Sequence, residues 1–221
     1  MARLASWLLG RDRSEPISYE LTRFVLLRAL GFVYLAAFFS LHDQVLGLVG
    51  SEGLTPAALY LERIDAHFGG GFEALWAVPT VFWVDVSDVA LRGLALLGIV
   101  AAAVVTLGYA NAPLMLLLWG IQLSFVSVGQ TWFAFGWEIQ LLETGMLGVF
   151  LCPLLDARPF PRAAPPRVVI WLYRWLIIRI MLGSGFIKLR GDECWTDLTC
   201  LVHHYETQPI PNPLSWVLHQ M

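Results

Sequence analysis

Residues 183–198 read GSGFIKLRGDECWTDL, and Lys188 within them is the only lysine of the chain, the remaining basic residues all being arginine. A lysine shifts its pKa readily when desolvated and can then act as a general base, which arginine cannot. Other reactive groups accompany it. Glu138 and Glu143 lie in one apolar run, Arg174 and Arg179 in another, and Arg28 in a third. Charges inside a bilayer pair with one another or face a polar cavity. At about 1.5 Å of rise per residue, Glu143 falls at the depth of Arg179, and Glu138 at that of Lys188. Two readings follow. In one, Glu143–Arg179 and Glu138–Lys188 are ion pairs holding helices together, and Lys188 snorkels to the membrane surface. In the other, an outward-opening polar cavity uses Lys188 as a catalytic base, with Glu138, Glu143, His203 and His204 around it.

These residues need elements to position them, and composition says which. The chain has 221 residues, of which 57% are hydrophobic and 14% charged. Its mean hydropathy is +0.66. Soluble domains carry about 25% charged residues. The expected fold class is therefore an all-α integral membrane protein, a polytopic bundle of about five transmembrane helices. Spans are expected at residues 22–41, 89–109, 112–129, 137–155 and 167–189, forming a bundle over 1–189. An outer loop covers 42–88, and an outer tail covers 190–221. No cleavable leader is evident at the N-terminus.

Arginines set the orientation. Arg3, Arg11, Arg13 and Arg23 precede or open the first span, and Arg158, Arg162 and Arg167 separate the fourth and fifth. Both regions are expected to be cytoplasmic, which places the C-terminal tail in a periplasm or lumen. The 42–88 loop is strongly acidic, in keeping with the outer side. Within it, GLTPAALYLERI predicts a short helix with Thr55 as N-cap and Pro56 at the first helical position. GGGFEALWAVPTVFWV is split by Pro79 and reads as an interfacial or re-entrant segment. Ser87 or Asp88 is the expected N-cap of the second span. QTWFAFGW, with four aromatics, reads as part of an interfacial belt.

In the tail, Cys194 and Cys200 stand six apart. On the outer side they form either a disulfide or two free thiols. Cys152 reads as a buried, inert thiol. His203, His204 and Glu206, with Asp192 and Asp197, match no specific metal-site spacing, and no metal or other cofactor is expected. PIPNP is stiff, extended chain. Zinc-protease, nucleophile-elbow, phosphate-loop and nucleic-acid signatures are absent from the sequence.

The strings FGWEIQLLETG, FLCPLLDARP and RWLIIRIMLGSGFIKLRGDECWTDLTCLVHHYETQPIPNPLSW resemble the lipase maturation factor family. The distinctive tail motif comprises Trp195, Tyr205, Glu206, Thr207, Gln208, Pro209 and Asn212. The resemblance implies a polytopic membrane protein. Animal members reside in the endoplasmic reticulum and help secreted dimeric lipases fold. The large domain that the family carries after its last span is absent, so the tail reads as the truncated start of a further domain. The arginine-rich composition points to a bacterial-type member, whose bilayer would be the inner membrane. GFIKLRGDECW is also distantly similar to a lysine-and-tryptophan segment of vitamin K-dependent carboxylase-like membrane proteins, which implies a base role for Lys188 shortly before Trp195.

Three functions are thus expected to compete. The first is a maturation factor, or chaperone, that binds exported, lipase-like clients without chemistry. The second is a membrane enzyme using Lys188. The third is a scaffold with no activity of its own. The expected partners are membrane lipid and an exported client, with no nucleic acid.

Overall fold

A computed structural model describes residues 18–207 and 213–220. The described residues form α-helices and short 3₁₀ turns, with no strand. The helices are α1 (Glu20–Val49), α2 (Ala57–Phe68), α3 (Gly71–Ala77), α4 (Asp88–Thr106), α5 (Ala112–Val128), α6 (Gly136–Leu151), α7 (Arg167–Gly191), α8 (Cys200–Thr207) and α9 (Pro213–His219). The chain is an all-α membrane protein in which α1, α4 and α7 are long and apolar enough to cross a bilayer. Helix α5 is apolar but shorter, at 17 residues, and α6 has 16. Each of the five overlaps one of the apolar runs read as a span. The chain divides into two compact units whose boundary falls between Trp171 and Leu172, within α7.

In the first unit, α1 and α4 form the main helix pair. Helix α1 buries one stripe, Arg23, Leu27, Leu30, Gly31, Tyr34, Phe38, Leu41, Val45 and Val49. Its spacing of three and four residues keeps the stripe on one side over the whole helix. The partner stripe on α4 is small: Leu91, Ala95, Gly98, Ala101, Ala102 and Val105. Small residues let membrane helices approach closely where no hydrophobic force between helices operates. The fit is tight. A Cβ built on Gly98 would lie 2.7 Å from the Phe38 ring, and one on Gly31 would lie 2.8 Å from the Thr106 backbone nitrogen. Gly145 on α6 likewise leaves room for Tyr34, whose hydroxyl a Cβ there would strike.

Polar side chains in this unit serve backbone carbonyls. The last carbonyls at the end of α4, those of Thr106 and Leu107, have no intrahelical donors. Arg28 supplies them: Nε donates to Thr106 O at 3.0 Å and Nη2 to Leu107 O at 3.3 Å. Arg23, also in α1, is buried and donates from Nη1 to Ala163 O at 2.7 Å. That bond docks the 153–166 linker, and Phe24 stacks on Phe160 at 4.5 Å. Tyr34 Oη donates to Leu141 O, and Trp119 Nε1 to Leu142 O.

Helix ends differ from the expectations in instructive ways. Helix α1 runs eight residues past the expected end of its span, to Val49. The polar residues His42, Asp43 and Gln44 mark a change of surroundings, but nothing breaks the helix before Gly50. The 50–55 loop then folds back, with Leu54 N donating to Gly47 O and Thr55 N to Leu48 O. Thr55 does not cap α2. Pro56 occupies the cap position, and the Thr55 hydroxyl oxygen instead accepts from Trp132 Nε1 at 2.8 Å. Of the two expected caps of α4, Ser87 is the one used, accepting from Ala90 N. Asp88 instead accepts from the backbone and hydroxyl of Ser51, both at 2.8 Å.

The segment around Pro79 forms no long helix. After α3 it runs extended, then forms a 3₁₀ turn at Val81–Trp83. It packs on α5: Thr80 Oγ1 donates to Ser124 O, Ser127 Oγ donates to Pro79 O, and Phe82 meets Phe125 edge-on at 5.0 Å.

The seam generates a paired prediction. Gly98→Ala overpacks the Phe38 contact and is expected to lower stability by about 1–3 kcal/mol. Gly93→Ala, at a position with nothing within 4 Å of the added Cβ, is expected to shift it by less than about 0.5 kcal/mol. Thermal unfolding in detergent reads both, and equal effects would contradict the seam. The linker generates another. Arg158 holds Asp156 through Nε and Nη2 at 2.9 and 2.7 Å, and these bonds lower the Asp156 pKa to about 2. An unfolded aspartate titrates near 3.9. The contact therefore stabilises above about pH 4 and its contribution is lost as pH falls through about 2. The difference between wild type and Asp156→Asn should be small, present at pH 6, and gone near pH 2.

Candidate functional site

Two places gather the residues singled out above. The first lies in the first unit, where α1, α5 and α6 meet near the C-terminal end of α1. Glu138 sits in the first turn of α6, where the helix dipole favours an acid. It is only 2% exposed, as is Gln122 on α5. Gln122 Nε2 donates to Glu138 Oε2 at 2.6 Å. Beside this pair is a cavity of about 140 Å³, lined also by Ser40, Gln44, Trp132, Phe133 and Trp137. Gln44 Nε2 donates to Ser40 Oγ at 3.0 Å. The aromatic turn that walls the cavity is pinned in place, since Gln130 Nε2 donates to Thr55 O at 3.0 Å and Trp132 holds the Thr55 hydroxyl. Gln130 adopts φ 50°, which turns the chain sharply between α5 and α6.

Sequence reasoning found Glu138 and missed its company. Gln122 carries no charge, yet it is the one amide in the apolar run APLMLLLWGIQLSFVSV. A polar side chain in such a run marks a site in the same way a charge does. Ser40, Gln44 and Trp132 come from segments more than 75 residues apart in places, and only the fold assembles them.

The second place is the segment around Lys188, in the second unit. Lys188 is exposed in the last turn of α7, and its Nζ lies 4.5 Å from the centroid of the Trp195 ring. That is cation–π geometry. The chain reverses there because Asp192 caps the 3₁₀ turn at Glu193–Trp195, accepting from Cys194 N at 3.0 Å. Leu198, at φ 60°, completes the return. Cys194 and Cys200 are joined in a disulfide, which ties this turn to the start of α8. Glu206 on α8 reaches His219 Nε2 on α9 at 3.6 Å.

The remaining predicted residues divide between the two units. His203 and His204 are exposed on α8; the His203 carbonyl accepts from the Thr207 hydroxyl, and the His204 ring leans on Tyr205. Among the described residues, no three His, Cys, Asp or Glu side chains are grouped to hold a metal ion. Glu143 is half-buried on α6, and Arg179 is exposed on α7. Gln208, Pro209 and Asn212 lie outside the described residues. Cys152, at the end of α6, is a free, half-buried thiol.

The disulfide predicts a proteolytic phenotype. In Cys194→Ser/Cys200→Ser the turn after α7 loses its tether, and trypsin should cleave after Lys188 and Arg190 several-fold faster than in wild type. Equal rates would show that the cross-link does not order this turn.

Comparison with known proteins agrees with this architecture. Residues 21–221 match the family model described as the lipase maturation factor transmembrane domain. The chain is 51% identical to lipase maturation factor 1 of Bos taurus, over 96% of this chain and 39% of that protein. It is 49% identical to lipase maturation factor 1 of Homo sapiens, over 91% of this chain and 37% of that protein. Human lipase maturation factor 2 is 36% identical, over 91% of this chain and 31% of that protein. The chain thus spans less than two fifths of the length of the human relatives it matches. No solved structure matches. With a family model covering all but the first 20 residues, this chain belongs to the lipase maturation factor family.

Proposed function

We propose that the chain is the membrane portion of a maturation factor that holds exported polypeptides while they fold, acting by binding and not by bond chemistry. The relatives are named for lipase maturation, so a lipase-like client is the first choice. In this reading the N-terminus faces the cytoplasm and the tail faces a lumen or periplasm. The arginine distribution supports that orientation. The disulfide supports it too, because such bonds persist in oxidising compartments. The endoplasmic reticulum membrane, or a bacterial inner membrane, would provide that setting.

The observation that carries the reading is the apolar surface of the disulfide-tied tail. Leu198, Leu201, Val202, Leu214, Trp216 and Val217 are all exposed, Trp216 at 69%. Helices α8 and α9 have eight and seven residues, too short to bury much themselves. Large exposed apolar patches mark sites of protein or membrane interaction. A client with unburied apolar segments offers the matching chemistry.

A photo-crosslinking residue at Trp216, in cells exporting a lipase, should capture the newly made lipase and lose it as the enzyme matures. Leu201→Ser/Trp216→Ser should reduce secreted lipase activity at least five-fold. Both positions are exposed, so the unfolding free energy of the chain should stay within about 0.5 kcal/mol of wild type. Unchanged lipase secretion, with no crosslink to the client, would overturn the proposal.

A further inference from the structure

We propose that the cavity between α1, α5 and α6 binds an organic ammonium group, namely the headgroup of an ethanolamine or choline phospholipid from the surrounding leaflet. Four observations lead there, none of which depends on the maturation role.

The first is the state of Glu138. Its carboxyl group is buried, and among the described residues its single hydrogen-bond donor is the neutral amide of Gln122. A buried charge is normally paired or ligated. No lysine, arginine or histidine is among the residues lining this cavity. The second observation is the character of the wall. Trp132, Phe133 and Trp137 line the same space as the carboxylate. Aromatic faces beside an anion are the combination that recognises alkylammonium ions. Hard divalent cations ask instead for six or more oxygen ligands, which this wall does not supply.

The third observation is size. The cavity measures about 140 Å³. An apolar cavity of about 150 Å³ accommodates a benzene-sized guest. The space therefore suits a small headgroup and not a folded segment. The fourth is position. Glu138 is in the first turn of α6, and Gln44 follows the polar pair His42 and Asp43 on α1. Trp137, at the edge of the cavity, is 55% exposed, as belongs to a residue at the membrane–water boundary. Headgroups reside at that level.

Native mass spectrometry of the full chain, with equal amounts of phosphatidylethanolamine, phosphatidylcholine and phosphatidylglycerol, tests the inference. One zwitterionic lipid should be retained at least ten-fold better than phosphatidylglycerol. Glu138→Gln should abolish that preference, and Trp137→Ala should weaken it several-fold. Equal retention of the three lipids by wild type, or an unaltered preference in Glu138→Gln, would overturn it. Should Glu138→Gln fail to fold, wild type alone decides: tetramethylammonium should raise its melting temperature and compete with the retained lipid, whereas sodium at equal concentration should not. Stabilisation by tetramethylammonium with no lipid retained would assign the cavity to a free ammonium ligand and overturn the headgroup assignment. No effect of tetramethylammonium would overturn the site altogether.

Discussion

Where a helix stops, its last backbone carbonyls lack an intrahelical donor, and the α1–α4 pair is built around that constraint. Arg28 places two guanidinium nitrogens on the carbonyls of Thr106 and Leu107, where α4 stops. The approach this needs is available because α1 presents Gly31 and α4 presents Gly98 and alanines at the contact. At the other end of the pair, Ser51, just past α1, gives two hydrogen bonds to Asp88 at the start of α4. The seam is thus closed at both ends by polar contacts and filled between them by packing. The rest of the first unit is attached to it. Arg23 draws in the 153–166 linker, and Tyr34 reaches across to the backbone of α6.

Most polar side chains of this unit are therefore committed to structure. Glu138 and Gln122 stand apart because they bond to each other beside an open space. The second unit is built differently. It has a disulfide, a capped turn and two short helices that leave large apolar side chains uncovered. The same division of labour suits a membrane-anchored binding protein. Lys188 joins the two roles of its own segment. Its stem ends a membrane helix, and its ammonium rests on the ring of Trp195, steadying the turn that the disulfide then locks.

Much of this was legible in the sequence. Each long apolar run holds one of the five long helices, and Ser87 was one of the two caps expected for α4; the largest difference is at the end of α1. There the expected span stops at Leu41, eight residues before the helix does. Polarity reports a change of solvent and does not by itself end a helix: α1 runs through the polar triplet His42, Asp43 and Gln44 and through Gly47, and stops only at Gly50. Thr55 was misread for a related reason. Its sequence context fits a cap, but a tryptophan 77 positions away takes its hydroxyl. The tail motif was legible as a family resemblance, and the cysteines were visible as an undecided pair that the fold brings together. The cavity was not legible. Its carboxylate was found by its charge, but the amide, the serine and the aromatic wall come from three helices and a turn. No local pattern announces such a meeting.

The central claim is that Arg28 of α1 holds the backbone carbonyls at the end of α4, and does not merely snorkel to headgroups. Arg28→Lys tests it most directly. Lysine keeps the charge and the reach to the surface but cannot span two carbonyls with a fork of nitrogens. The unfolding midpoint of this variant in nanodiscs, measured beside Arg92→Lys on the exposed side of α4, is the quantity to determine. The account predicts a fall of several degrees for Arg28→Lys and almost none for Arg92→Lys. Equal midpoints for both variants and wild type would show that Arg28 is a surface charge, and that the end of α4 is satisfied in some other way.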